Sequence, residues 1–176
     1  MAVEERGLKN IPTTADALPA FKDDYIIKLF ETTGVLSGVE LASRFEVYAE
    51  QYLLSIEVEA KLVVDMATTL IYPAAISYLA EIAHTAVSLK EMGIDVDISV
   101  AKSVTACTNG MMAAVSILAE ATAKHDFDTV EAHMNFCAGT ICDLMLDVRA
   151  FADELEGLVA DSLWPLPKYQ EMLFIR

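Results

Sequence analysis

The stretch that most constrains this chain runs from Ser37 to Gly93, SGVELASRFEVYAEQYLLSIEVEAKLVVDMATTLIYPAAISYLAEIAHTAVSLKEMG. Its spacing predicts one very long helix. Ser37 and Glu40 make a capping-box pair, in which a hydroxyl at the N-cap and a carboxylate three residues on satisfy donors without intrahelical partners. Leu41, Phe45, Tyr48, Tyr52, Ile56, Val63 and Leu70 then recur at helical spacing and form an apolar stripe. Pro73 lacks an N–H and its ring crowds the preceding turn, so a kink is expected there. Gly93 stands where a left-handed residue closes a helix. A helix of this length needs partners, so the remaining chain must pack along it.

The rest of the sequence supplies those partners. After the turn Ile94-Asp95-Val96-Asp97, with Asp97 as N-cap, a second helix is expected from about Ile98 to Lys124. Its packing side is Ala101, Val104, Thr108, Met111, Val115 and Leu118. The periodicity runs unbroken through Asn109-Gly110, at a cost of roughly 1 kcal/mol for the glycine. A third helix follows His125-Asp126-Phe127, with Asp128 and Glu131 as a second capping pair. Its seam, Val130, Met134, Cys137, Ile141, Leu144, Val148, Phe151, Leu155 and Leu158, alternates steps of four and three. Arg149 and Asp153 add an exposed pair four apart.

The ends are less regular. Pro12 and Pro19 mark residues 1–20 as extended, with Asp16 capping one short turn. A short helix is expected from Lys22 to Thr32, ended by Gly34, and another from Lys168 to Phe174 after Pro165 and Pro167. No strand-like alternation and no internal repeat is present. The expected architecture is all-α: an up-down-up bundle of three long helices, the first kinked at Pro73, with short flanking helices. Residues 1–36 read as an extended junction segment with a short helix and 37–176 as the helical bundle, one compact domain overall.

Composition narrows the functional classes. A net charge of −15 would repel a polyanion, which argues against a nucleic-acid partner. The apolar fraction of 55% is high, yet the charge-free runs between Asp65 and Glu81 and between Lys102 and Glu120 fall short of the roughly 20 residues of a membrane span. The expectation is therefore no membrane partner, and the excess apolarity reads as surface that docks on another domain or subunit. The start, MAVEERGLKN, lacks the apolar core of a signal peptide, so a cytoplasmic location is expected. Cys107, Cys137 and Cys142 lie inside apolar helical patterns and read as buried structural thiols.

Glu81-Ile82-Ala83-His84 is an ExxH, the unit that carboxylate-bridged di-iron bundles use twice, but no second ExxH exists and Glu131 with His133 has the wrong spacing. Glu46, Glu50, Glu57 and Asp65 read as one exposed flank, with Glu57 and Lys61 an ordinary helical pair. His133 and Cys137 are four apart on a helix, without an orienting third group for nucleophilic catalysis. The seven glycines are scattered and form no phosphate-cradling loop. Trp164 reads as an anchor for the tail, or as a ring that docks on a partner. On this reading no residue is assigned a catalytic, cofactor-binding or metal-binding role.

The runs LKNIPTTADALPAF, LFETTGVLSGVELASRFEVYAEQY and IEVEAKLVVDMA, with the closing WPLPKYQEMLF, resemble the C-terminal part of type III glutamine synthetases. The resemblance extends from Leu8 to Phe174. Lys9-Asn10-Ile11 looks like the junction that follows the catalytic barrel in that family, and Gly34-Val35-Leu36 like the turn before its terminal helices. Ile11 is followed by Pro12-Thr13-Thr14, so the regulatory tyrosine of type I enzymes has no counterpart here. The resemblance implies that the chain is a fragment, inactive alone and without a cofactor of its own, that serves a structural and assembly role. The parent would be a glutamate–ammonia ligase of nitrogen assimilation that uses ATP and Mg or Mn. The implied partners are the parent's catalytic barrel and neighbouring subunits of a homo-oligomer. The alternative is a stand-alone bundle that acts as a metal-carboxylate protein through Glu81 and His84, or as a partner-binding module.

Overall fold

The computed structural model describes Gly7 and residues 10–173. Lys9 of the expected junction and Phe174 of the closing run lie outside these residues. Among the described residues every regular element is helical and no strand occurs. The elements are α1 (Thr14–Ala17), a 3₁₀ turn (Leu18–Lys22), α2 (Asp24–Thr33), α3 (Gly38–Met66), α4 (Tyr72–Glu91), α5 (Ser99–Thr122), α6 (Val130–Phe136), α7 (Cys142–Leu158), a 3₁₀ turn (Asp161–Leu163) and α8 (Tyr169–Leu173). Single π turns, Ala67–Ile71 and Cys137–Ile141, join α3 to α4 and α6 to α7. Gly38–Glu91 is thus one helical run of 54 residues.

Its ends close as the sequence predicts. Ser37 N donates to Glu40 Oε2 at 2.8 Å, and Glu40 N donates to Ser37 Oγ at 3.3 Å. At the far end Gly93 adopts φ +79°, so that Ile94 N reaches Leu89 O at 3.0 Å. Only glycine takes that left-handed conformation without strain. Pro73 acts through register. It withdraws one N–H from the α ladder, and the turn before it is wound one residue wider, with Tyr72 N donating to Ala67 O. Thr68 and Thr69 donate their hydroxyls to Val64 O and Asp65 O at 2.8 and 2.7 Å, bonding back to carbonyls just ahead of the widened turn. The extra residue moves the buried position from the expected Leu70, which is exposed, to Ile71, which is buried.

Contacts divide the chain into two compact units, Met1–Glu59 with Lys124–Cys142, and Ala60–Ala123 with Asp143–Arg176. In the first unit the core is Ala15, Leu18, Phe45, Ala49 and Met134, with Phe21, Tyr52, Leu53 and Ala138 packed against it. Within residues 1–20, expected to be extended apart from one short turn at Asp16, Thr14–Ala17 form a helical turn, and the 3₁₀ turn Leu18–Lys22 takes up Lys22, the expected start of the next helix. Thr13 is the cap, accepting from Asp16 N at 3.1 Å, and Asp16 is its partner. Helix α2 is capped by Asp23 and closed by Gly34 at φ +68°. The third long helix is capped one residue later than expected: Thr129 Oγ1 accepts from Ala132 N at 3.1 Å. Glu131 is free of that duty and binds Lys22 instead.

In the second unit α4 and α5 pack against each other across the connection 92–98. Asp97 accepts from Ser99 N at 2.8 Å, two residues on, and α5 begins at Ser99. Of the expected packing side of α5, Val104, Thr108, Met111, Val115 and Leu118 are buried and Ala101 is half-buried. Thr108 is satisfied by donating to Val104 O at 2.7 Å. Gly110 has a reason beyond tolerance. A Cβ there would lie 2.5 Å from Phe151 Cε1 and 2.7 Å from its Cζ, so the missing side chain is the socket for the ring.

Gly38–Glu91 and Ser99–Thr122 are long and apolar enough to cross a membrane by length and composition alone. The charge-free runs understate this, because such a window tolerates a charged residue or two. Core helices pass the same test, and 22% and 39% of the two apolar windows are buried within this chain.

Two substitutions test these packing and capping arguments by chemical denaturation. Gly110→Ala gains helix propensity of about 1 kcal/mol but drives a methyl into Phe151. We expect a net loss of about 1–2 kcal/mol that disappears in a Phe151→Leu background. Thr129→Ala should cost about 1 kcal/mol, whereas Asp128→Ala should be near neutral; the reverse order would restore the earlier cap.

Candidate functional site

Titratable side chains meet in the first unit around His133. The residue sits on α6, which Thr129 starts and Met134 holds against the core. Its ring stacks on Phe127, with centroids 4.3 Å apart and planes 11° from parallel. Phe127 in turn leans on Phe136 at 5.1 Å. Lys124 Nζ lies 5.4 and 5.1 Å from the centroids of these two phenylalanines, within cation–π range. At the edge of the ring, His133 Nε2 faces Glu57 Oε1 at 3.7 Å. Glu57 is thus half-buried and turned toward α6, a correction to its place on an exposed flank.

The electrostatics follow from burial. Burial pushes the His133 imidazole below its ordinary value; Glu57 opposes that shift and His125 adds to it. One turn on, burial, then Glu57 and then Cys142 push the Cys137 thiol up to about 11. A thiol held protonated at neutral pH is a poor nucleophile, so His133 and Cys137 do not form an activated pair. Tyr52 is raised by burial first, and then by Cys142, Cys137, Asp16 and Glu59. In the second unit burial and a hydrogen bond with Glu154 push the Cys107 thiol up to about 11. Cys107 and Cys137 are buried, as the sequence predicts, and Cys142 is half-buried.

The other sequence candidates fall apart in space. Glu81 and His84 are both exposed on α4. Among the described residues no group of three or more His, Cys, Asp or Glu side chains is placed to hold a metal ion. Trp164 is half-buried beside the Asp161–Leu163 turn, its indole N–H buried without a hydrogen-bond partner. That turn is braced by Lys168 Nζ on Asp161 Oδ1 at 2.6 Å. The contacts that sequence reasoning missed, Glu57 with His133 and Lys22 with Glu131, join residues 76 and 109 positions apart. No local period signals such pairs.

Among the described residues the polar groups act as caps and as cross-links between helices. The family profile described as the glutamine synthetase C-terminal domain matches residues 2–90, about half of the chain. The chain belongs to that family. Aligned over 182 positions, this glutamine synthetase C-terminal domain is 34% identical to the type-3 glutamine synthetase of Dictyostelium discoideum, covering 98% of the chain. It is 27% identical to the glutamine synthetase of Bacteroides fragilis (strain YCH46) and 29% identical to that of Butyrivibrio fibrisolvens, covering 97% of the chain in each case. It spans 25% of the length of each of these relatives.

The lowered His133 predicts a pH dependence. The unfolded chain binds a proton near 6.5 that the folded chain resists, so stability rises with pH through the window just below 6.5 and is lost as pH falls through it. The urea midpoint should drop between pH 7.5 and pH 5.5, and His133→Gln should flatten that part of the profile.

Proposed function

We propose that this chain is the C-terminal helical segment of a type III glutamine synthetase and that its role is structural, holding the enzyme body and neighbouring subunits together. The observation that carries the reading is the family match over residues 2–90, joined to relatives four times as long that align along nearly the whole chain. The physical support is the long helix itself. Leu41, Phe45, Ala49 and Ala60 are buried on one side, while Val47, Leu54 and Val58 are more than half exposed on the other. A helix apolar on both sides belongs inside a larger body.

On this reading the parent enzyme joins ammonia to glutamate with ATP and a divalent metal, Mg or Mn. Those sites belong to the remainder of the enzyme and not to this segment. Removing the segment from the whole enzyme should lower the assembled mass measured by light scattering and abolish glutamine formation. Titration of ATP with Mn²⁺ into the chain alone should give no stoichiometric heat. A truncated enzyme that keeps its assembly, or micromolar ATP binding by the chain alone, would overturn the reading.

A further inference from the structure

The outward side of α3 carries information that the core does not need. On the segment 47–59, within the first unit, Val47, Glu50, Gln51, Leu54, Ser55, Val58 and Glu59 line one shallow groove. Val47, Leu54 and Val58 are 56%, 56% and 54% exposed. Their spacing of seven and then four residues places them along one helical face, about half a turn away from the buried Phe45 and Ala49. This is the anchor pattern of a helix that receives another helix. The rim is acidic: Glu50 and Glu59 line the groove, and Glu46 is exposed just before it. The nearest cation on the preceding turn, Arg44, is directed to the Tyr48 hydroxyl at 3.4 Å.

Charge chooses the occupant. A second copy laid on this face would bring glutamates against glutamates in a chain that already carries −15, and like charges at an interface rim select against a partner. A helix with a matching apolar stripe and basic flanks meets both demands. We infer that Val47, Leu54 and Val58, with Glu50 and Glu59 beside them, form a docking face for an amphipathic helix whose flanks carry Lys or Arg. The assembly role proposed above bears only on which polypeptide supplies that helix.

The test is a photo-crosslink read at peptide level. p-Benzoylphenylalanine replaces Leu54 in the protein as its own cells produce it, the cells are irradiated, and the joined peptide is sequenced by mass spectrometry. The expected adduct is a peptide with apolar residues at helical spacing and at least two flanking Lys or Arg. Reversing Glu50→Lys and Glu59→Lys together should lower its yield about tenfold while the thermal melt stays unchanged, since both side chains are exposed. An adduct to residues 47–58 of a second copy, an acidic or non-helical peptide, no adduct, or a yield indifferent to charge reversal would each overturn the proposal. A basic amphipathic peptide from a polypeptide other than a glutamine synthetase would uphold the docking face and sink the assembly role, so the two fail separately.

Discussion

Burial of one side of the 54-residue run Gly38–Glu91, at Leu41, Phe45 and Ala49 in the first unit and at Ala60, Ala67, Ile71 and Ala75 in the second, is the constraint on which the rest of this structure depends. A helix that long gains little from propensity alone and is held by what packs on it. In the first unit that support comes from the short N-terminal helices and α6, which close over Phe45 and Ala49. In the second it comes from α5, packed on α4 and on the π turn. Both ends are sealed by side chains or glycine suited to the task, so their orphan donors and acceptors are not left bare.

Proline shows how one backbone rule propagates into packing. Pro73 cannot donate, and a turn wound one residue wider absorbs the loss before the helix continues. The consequence is a shift of phase: the buried position passes from Leu70 to Ile71. A strict 3.6-residue reading misses this shift because it assumes an unbroken period. Gly110 is the converse case. Sequence logic allows it as a modest cost to the helix, yet its missing Cβ is the space in which the Phe151 ring sits.

The polar groups show the same division of labour. Cys107 and Cys137 are buried, the first hydrogen-bonded with Glu154 and the second near Glu57, and both thiols are pushed up to about 11. His133 is pinned between Phe127 and Glu57, and Lys22 ties Glu131 to the N-terminal segment. Such cross-links fasten helices that are distant in sequence. They belong to a glutamine synthetase C-terminal domain that spans a quarter of its relatives' length.

Helix identity, the caps at Ser37 and Gly93, the buried side of α5 and the seam through Met134, Cys137, Ile141, Val148 and Leu155 were legible in the sequence. They depend on neighbours three, four or seven residues away, and local spacing carries that information. The family was legible too, because its end motifs place Pro, Trp and Tyr where a generic helix needs none. What only the tertiary structure decided is of another kind: the phase shift before Pro73, the ring in the Gly110 socket, the transfer of the cap from Asp128 to Thr129, and Glu57 against His133. The ring at Gly110 and Glu57 against His133 depend on groups brought together from far along the chain, of which a local period holds no record. The phase shift and the cap at Thr129 are local, but a uniform 3.6-residue reading does not rank neighbouring positions.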